Sequence, residues 1–250
     1  MDSHAHRHSP GIVERVAVPV EARLRGRFIR RYKRFLADVE LESGRTVTVH
    51  CANPGSMRGF HRPGASVRCS TSDDPKRKLR HTLEMMRIGR TWVGLQTLRA
   101  NPVVAAVLGA RAFAPFAEYP VVDREVSVPG GSRIDFALSG SARDTRAAYV
   151  EVKSVTLANS GVARFPDSVT TRGKRHLESL MDLHATGHRA AILFLVQRAD
   201  CDRVEPADDI DPAYGEALRR AVSAGVEAFA LGARVTSRSI AVERMLPVSL

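Results

Sequence analysis

Ser132-Arg133-Ile134-Asp135-Phe136 and, downstream of it, Tyr149-Val150-Glu151-Val152-Lys153 are the stretches on which the reading of this chain turns. Each is a short apolar run interrupted by charge, and runs of that length read as strands. Side chains alternate between faces along a strand, so Glu151 and Lys153 share one face and Val150 and Val152 the other. If the two strands are neighbours, Asp135 and Glu151 meet beside the Lys153 ammonium. Hard divalent cations such as Mg²⁺ (or Mn²⁺) take clustered carboxylate oxygens, which makes Asp135 and Glu151 the candidate metal ligands. With Lys153 they form the candidate catalytic set. A cation there lowers the pKa of a water and polarises a phosphoryl oxygen, and Lys153 orients the attacking water and offsets developing charge. The competing reading is an exposed cross-strand ion pair, the usual role of Glu-x-Lys in a strand.

Around these stretches the second half of the chain alternates strands and helices. Residues 102–110 read as an apolar helix opened by Pro102. Strands follow at 121–128, 133–138 and 147–153. Leu177, Leu180, Met181 and His184 mark one face of a helix over 174–186, which Gly187 ends. Residues 190–196 read as a buried strand, Asp211-Pro212 opens a further helix, and 226–231 reads as a last strand. This order predicts an α/β sandwich around a mixed sheet.

The first half reads differently. Phe35, Ala37, Val39 and Leu41 alternate with a mostly polar set, Ser43-Gly44 turns the chain, and residues 46–49 return. Further strands are expected at 65–70, 82–86 and 91–95, so a small barrel is predicted, of which the open OB type is one form. The expected limits are a disordered His-rich tail at 1–12 (His4, His6, His8), an OB-like domain at 13–95 and an α/β domain at 96–250.

Charge divides the chain at the same place. The 250 residues carry a net +11. Residues 1–95 hold 19 Lys and Arg against 9 Asp and Glu, and the remainder holds 19 against 18. A basic domain favours polyanions, nucleic acid first. The stretch Arg23–Arg34 has seven basic residues in twelve, interleaved with Phe28 and Tyr32. That pattern suits backbone neutralisation with base stacking; the alternative is a solvated edge strand whose aromatics face the core. The candidate nucleic-acid contacts are Arg27, Arg30, Arg31, Lys33 and Arg34, with Lys76, Arg77 and Lys78 after a turn. Arg172 and Lys174 join them at a helix start, where backbone N–H groups favour phosphate. His176 there reads equally as a surface residue or a catalytic base.

Several classes are excluded. The longest apolar run, Ala190–Val196, is far too short to span a membrane. The N-terminus lacks the apolar core of a secretory signal. Cys51, Cys69 and Cys201 are scattered and odd in number, which fits a reducing cytoplasm and no disulfide framework.

The acidic constellation resembles the PD-(D/E)xK nuclease superfamily. More specifically, Arg30–Phe35, His50–Met57, Asp74–Leu79, Ser132–Phe136, Glu151–Leu157, Phe165–Asp167 and Ala207–Pro212 resemble, in order, the sugar fermentation stimulation protein A family. The resemblance runs from about Arg23 to the region of Arg234. It implies an OB-like β-barrel that binds DNA, then a restriction-endonuclease-like α/β domain in which Asp135, Glu151 and Lys153 match the nuclease motif. It also implies a bacterial cytoplasmic protein named for an effect on sugar-utilisation genes. One position departs: a family Glu is expected in the first helix of the nuclease-like domain, where this chain has Val104-Ala105-Ala106, with Glu118 or Glu125 as substitutes. Three functions remain open: a metal-dependent phosphodiesterase, a non-catalytic DNA-binding regulator, and an RNA-binding protein.

Overall fold

The computed structural model describes residues 14–250; the His-rich tail lies outside them. Six strands build the first sheet: β2 (Leu24–Tyr32), β3 (Leu36–Leu41), β4 (Thr46–His50), β5 (Ser66–Thr71), β6 (His81–Ile88) and β7 (Thr91–Gly94). Their order is β4-β3-β2-β5-β6-β7, and a parallel contact of His50 with Thr82 joins β4 to β6. That contact closes five strands into an OB barrel, with β7 appended to β6. Phe28, Val39, Val49, Val67, Leu83 and Met86 fill its interior.

A seven-stranded mixed sheet follows. It contains β8 (Val121–Ser127), β9 (Arg133–Ser139), β10 (Ala148–Val155), β13 (Arg189–Val196), β15 (Glu227–Val235) and β16 (Ser239–Leu246). Its other edge is β1 (Val16–Pro19), antiparallel to β16. Residues 16–19 were expected in the barrel domain, and this corrects the boundary. Val16 and Val18 pack on the core of the second sheet, and that burial decides where the strand sits. A small third sheet, β11 (Ala158–Asn159), β12 (Val162–Phe165) and β14 (Arg203–Pro206), follows the end of β10.

Helices cover both faces of the large sheet. On one, α1 (Ala100–Gly109) packs Val103, Val104 and Val107 against Val150, Val152, Leu193 and Leu195. On the other, α2 (Thr171–Ala185) and α3 (Pro212–Ser223) pack Leu177, Leu180, Ala217 and Leu218 against Ile192, Phe194 and Val196. Thr170 caps α2 by accepting from Gly173 N, and Asp211 caps α3 by accepting from Tyr214 N. The result is a restriction-endonuclease-like α/β layer behind an OB barrel.

Barrel and layer are joined by polar contacts. Gly94 N donates to the Gln197 carbonyl at 2.9 Å, and a Cβ on Gly94 would stand 2.7 Å from Gln197 Oε1, so a larger residue at this crossing displaces the Gln197 amide. Buried Glu84 of β6 accepts from Ser70, Gln96 and Arg99, the last as an ion pair of 2.8 Å.

Candidate active site and nucleic-acid interface

The pairing of β9 with β10 runs through Val150 opposite Phe136 and stops there. Beyond that point the Asp135 side chain takes over from the backbone, its Oδ2 accepting from Val152 N at 2.7 Å. Its Oδ1 accepts from Asn101 Nδ2 at 2.6 Å, so the start of α1 touches the carboxylate. Glu151 lies on the α2 face of β10 and is buried. Its Oε1 accepts from Lys153 Nζ at 2.6 Å and from His176 Nδ1. Arg172 Nε donates to His176 Nε2 at 3.2 Å. A ring nitrogen that accepts from arginine carries no proton, so the His176 proton sits on Nδ1, facing Glu151. Arg172, His176, Glu151 and Lys153 thus form one network.

Burial pushes the Asp135 carboxyl above the usual aspartate range, and the Glu151 charge pushes the same way. Burial acts likewise on Glu151 but is outweighed by the His176 hydrogen bond and the Lys153 charge, which leave Glu151 below the usual range. Glu151 Oε2 is buried without a hydrogen-bond partner. An unsatisfied buried carboxylate oxygen is the kind of donor that a hard cation takes. Glu151 and Lys153 pair in the interior, and Asp135 is bound to the backbone N–H of Val152 between them, so the exposed cross-strand pair is not what forms.

Other expectations are corrected. His176 is not a surface residue; it is buried under Arg172. Glu125 pairs with Arg133 at 2.9 Å on the surface. Among the described residues no group of three or more His, Cys, Asp or Glu converges: neither Glu118 nor Glu125 joins Glu151 and His176, nor does Asp135 close with them into such a group. The helix contributes Asn101 to the site, while Val104 is fully buried in the core and Ala105 and Ala106 offer no donor atom. Cys69 and Cys201, pushed up by burial to about 12 and about 11, are thiols at neutral pH and fill core space.

The basic residues divide in two. Arg31 is consumed internally: it donates to the carbonyls of Arg34, Asn53, Gly55 and Ser56. Arg30 pairs with Asp38 at 2.8 Å, Arg34 donates to the Pro54 carbonyl, Arg27 to the Gly64 carbonyl and Arg77 to Thr82. These bonds shape the loops of the barrel and leave fewer cations for a ligand than the sequence pattern suggested. Lys33, Lys76 and Lys78 are exposed, as is Arg172, and Lys174 is half-buried. Phe28 faces the barrel core, whereas Phe35 is exposed.

The loop shaped by Arg31 meets the second domain at Asp167. Met57 N donates to Asp167 Oδ2 at 3.1 Å, Ser56 Oγ bonds the Asp167 carbonyl, and a Cβ on Gly55 would overlap the Asp167 carboxylate. A groove of about 460 Å³ opens along this junction, lined by Arg34, Thr97, Ser154, Thr156, Arg164 and Arg172 among others. A second, of about 530 Å³, is lined by Arg133, Arg172, Arg175 and His176. Arg172 stands in both, between the junction and the acidic pair. Asn101 and Asp167 were not singled out as site residues. The only sequence sign of the Arg172–His176 contact was their four-residue spacing at the start of a helix.

Family models match both halves: "SfsA N-terminal OB domain" over residues 29–95 and "Sugar fermentation stimulation protein RE domain" over residues 98–239. The chain belongs to the sugar fermentation stimulation protein family. A homolog from Syntrophotalea carbinolica is 49% identical over 228 residues, 91% of this chain and 96% of the relative. One from Geobacter sulfurreducens is 46% identical over 223 residues, 89% and 94% of the two chains. The solved structure of Pyrococcus furiosus SfsA in complex with Ca²⁺ superposes with a TM-score of 0.82 at 25% identity, covering 96% of this chain and 99% of that one. Family, barrel and endonuclease-like layer thus agree with the fold read from the sequence. No helix among the described residues is long and apolar enough to cross a membrane.

Proposed function

We propose that this family member binds nucleic acid, DNA foremost, in the cytoplasm and hydrolyses phosphodiester bonds at Asp135, Glu151 and Lys153 with Mg²⁺ or Mn²⁺. The observation that carries the reading is the buried, unpartnered Glu151 Oε2, with Asp135 anchored on the neighbouring backbone N–H of Val152. Asp135 and Glu151 would hold the cation, and the Ca²⁺ complex of the Pyrococcus furiosus relative supports a hard divalent ion in this fold. When bound, such an ion polarises a phosphoryl oxygen and acidifies a water. The chain's own groups do the rest. Lys153 places positive charge where the pentavalent phosphorus gains negative charge. His176 holds Glu151 Oε1 through its Nδ1 proton and so fixes the rotamer that leaves Oε2 free. Arg172 holds the ring and lies on the way from the junction groove, where it contacts a phosphate.

One observation favours a second reading, a binder without catalysis. The helix facing the acidic pair supplies the amide of Asn101 and no third carboxylate. The two readings separate by incubating labelled DNA and RNA with the protein in Mg²⁺ or Mn²⁺ beside Glu151→Gln. Cleavage by the wild type and its loss in the variant supports hydrolysis. Binding without cleavage in either supports the regulator, and tighter binding of RNA at matched salt would replace DNA as the partner.

A further inference from the structure

The register of β2 against β5 sets Arg25 directly opposite Arg68. Like charges at that position destabilise a sheet. Glu42 answers them, 3.8 Å from Arg25. Burial and the Arg25 charge both push Arg68 below the usual arginine range. The Arg68 guanidinium lies over the Trp92 ring, 5.7 Å from its centroid, and Arg87 stands directly opposite Trp92 across β6 and β7. Among the described residues, the guanidinium groups of Arg68, Arg87 and Arg238 donate no hydrogen bond, in contrast to Arg30, Arg31 and Arg34. Two adjoining grooves of about 440 and 570 Å³ share Arg25 and Arg68; Arg87 and Trp92 line the first, and Arg23 and Arg238 the second. Gly26 lets β3 close the floor of the first, since a Cβ there would overlap Val39 and the Glu40 carbonyl. Neither groove shares a lining residue with the two that Arg172 lines.

We propose that Arg25, Arg68 and Arg87 on the barrel, with Arg238 from the turn before β16, form a second contact line around Trp92 for the phosphates of a nucleic-acid strand. Several arginines strung along adjoining grooves suit a chain of phosphates better than one small anion. Glu21, Glu40 and Glu42 on the same rims leave the arginines in excess. Stacking on Trp92 holds the Arg68 fork in one plane, which lowers the ordering cost of a bidentate phosphate contact. A phosphate between Arg25 and Arg68 also removes their repulsion. The inference rests on the nucleic-acid reading above, but not on hydrolysis.

Trp92 is the single tryptophan of the chain, so its emission reports this place alone. The full chain is titrated in EDTA with a fluorescein-labelled single-stranded oligodeoxynucleotide, following anisotropy and Trp92 emission together. The expected result is a saturable emission change that tracks anisotropy. Arg68→Gln/Arg87→Gln should bind about tenfold more weakly, with the slope of log affinity on log salt smaller by about 1.4 for two lost contacts to a single strand. Arg87→Gln alone, at an exposed site, serves if the double variant does not fold, with half that loss of slope. Anisotropy binding with no emission change and an unchanged slope overturns the proposal and leaves the nucleic-acid reading standing. An emission change that inorganic phosphate reproduces at equal concentration also overturns it. No oligonucleotide binding at all overturns both.

Discussion

Replacing Asp135 by Asn separates the two roles this carboxylate can have. Its oxygens accept from Asn101 at 2.6 Å and from Val152 N at 2.7 Å; an amide keeps that shape, accepts from Val152 N through its oxygen and donates to the carbonyl of a turned-over Asn101 amide, while removing the charge. Burial and Glu151 hold the carboxyl above its ordinary range. Ionising it in the fold therefore costs free energy relative to the unfolded chain, at about 1.4 kcal/mol per pK unit. A carboxyl whose folded pKa exceeds its unfolded value binds more protons when folded. Wild-type stability thus falls as pH rises from the unfolded value, about 3.9, through the raised one. At neutral pH in EDTA, Asp135→Asn is expected to gain on the order of 1 kcal/mol, a Tm higher by about 2–4 °C for a chain of this size. The gain should vanish at acid pH, below both values. Divalent cation at a hundred times its Kd should add about 2.7 kcal/mol to the wild type and nothing to the variant. Thermal melts followed by circular dichroism, with and without Mg²⁺ or Ca²⁺, read both effects. A variant that melts several degrees below the wild type in EDTA, with a wild type indifferent to cations, would refute the reasoning. Asp135 would then be a structural acceptor for Asn101 and Val152.

Glu151 should show the opposite slope. Its folded pKa is lowered, so its stabilisation is present above its unfolded value and lost as pH falls through the folded one. Urea midpoints of wild type and Glu151→Gln should converge on acidification and separate above about pH 5. Arg31→Ala should lower stability by about 1–3 kcal/mol through orphaned loop carbonyls, with little change in the salt dependence of DNA binding. Lys33→Ala should do the reverse, reducing the salt slope by about 1 at unchanged Tm. Gly55→Ala should displace the Asp167 carboxylate and break its bond from Met57 N. A loss of about 1–3 kcal/mol in denaturant midpoint is expected, with amide exchange quickened at Met57; an unchanged midpoint would show that the junction yields.

Much of the large sheet was legible because its signals are local. Alternation alone placed Glu151 and Lys153 on one face, and the apolar run at 190–196 is β13 almost residue for residue. What escaped depends on distant partners. The four residues of β1 carry no pattern of their own, and their strand exists because β16, at the other end of the chain, offers an edge. The short strands β11, β12 and β14 owe their pairing to one another. Asn101 reaches Asp135 only because α1 begins beside the start of β9, and no spacing in the sequence encodes that. His176 was ambiguous for the same reason: its helix and the strand of Glu151 were both visible, but not that the one packs on the other.

The charge of the barrel domain shows how a count misleads until geometry sorts it. The densest basic stretch, Arg23–Arg34, was the natural place to expect a nucleic-acid strand. Arg30 and Arg31 within it are spent on Asp38 and on loop carbonyls, because a tight barrel with long loops must satisfy those carbonyls from somewhere. Arginines whose guanidinium groups donate no hydrogen bond among the described residues lie at wider spacing, at positions 68, 87 and 238: the β2–β5 register sets Arg68 against Arg25, the β6–β7 register sets Arg87 against Trp92, and Arg238 joins them from the turn before β16. Internal hydrogen bonding removes a cation's donors but not its charge, so the tied arginines still add to the long-range field that draws a polyanion in. Contact then falls to the untied ones. On this argument the local sequence density of arginine marks the loops that needed building, and the unpaired arginines mark where a phosphate chain rests.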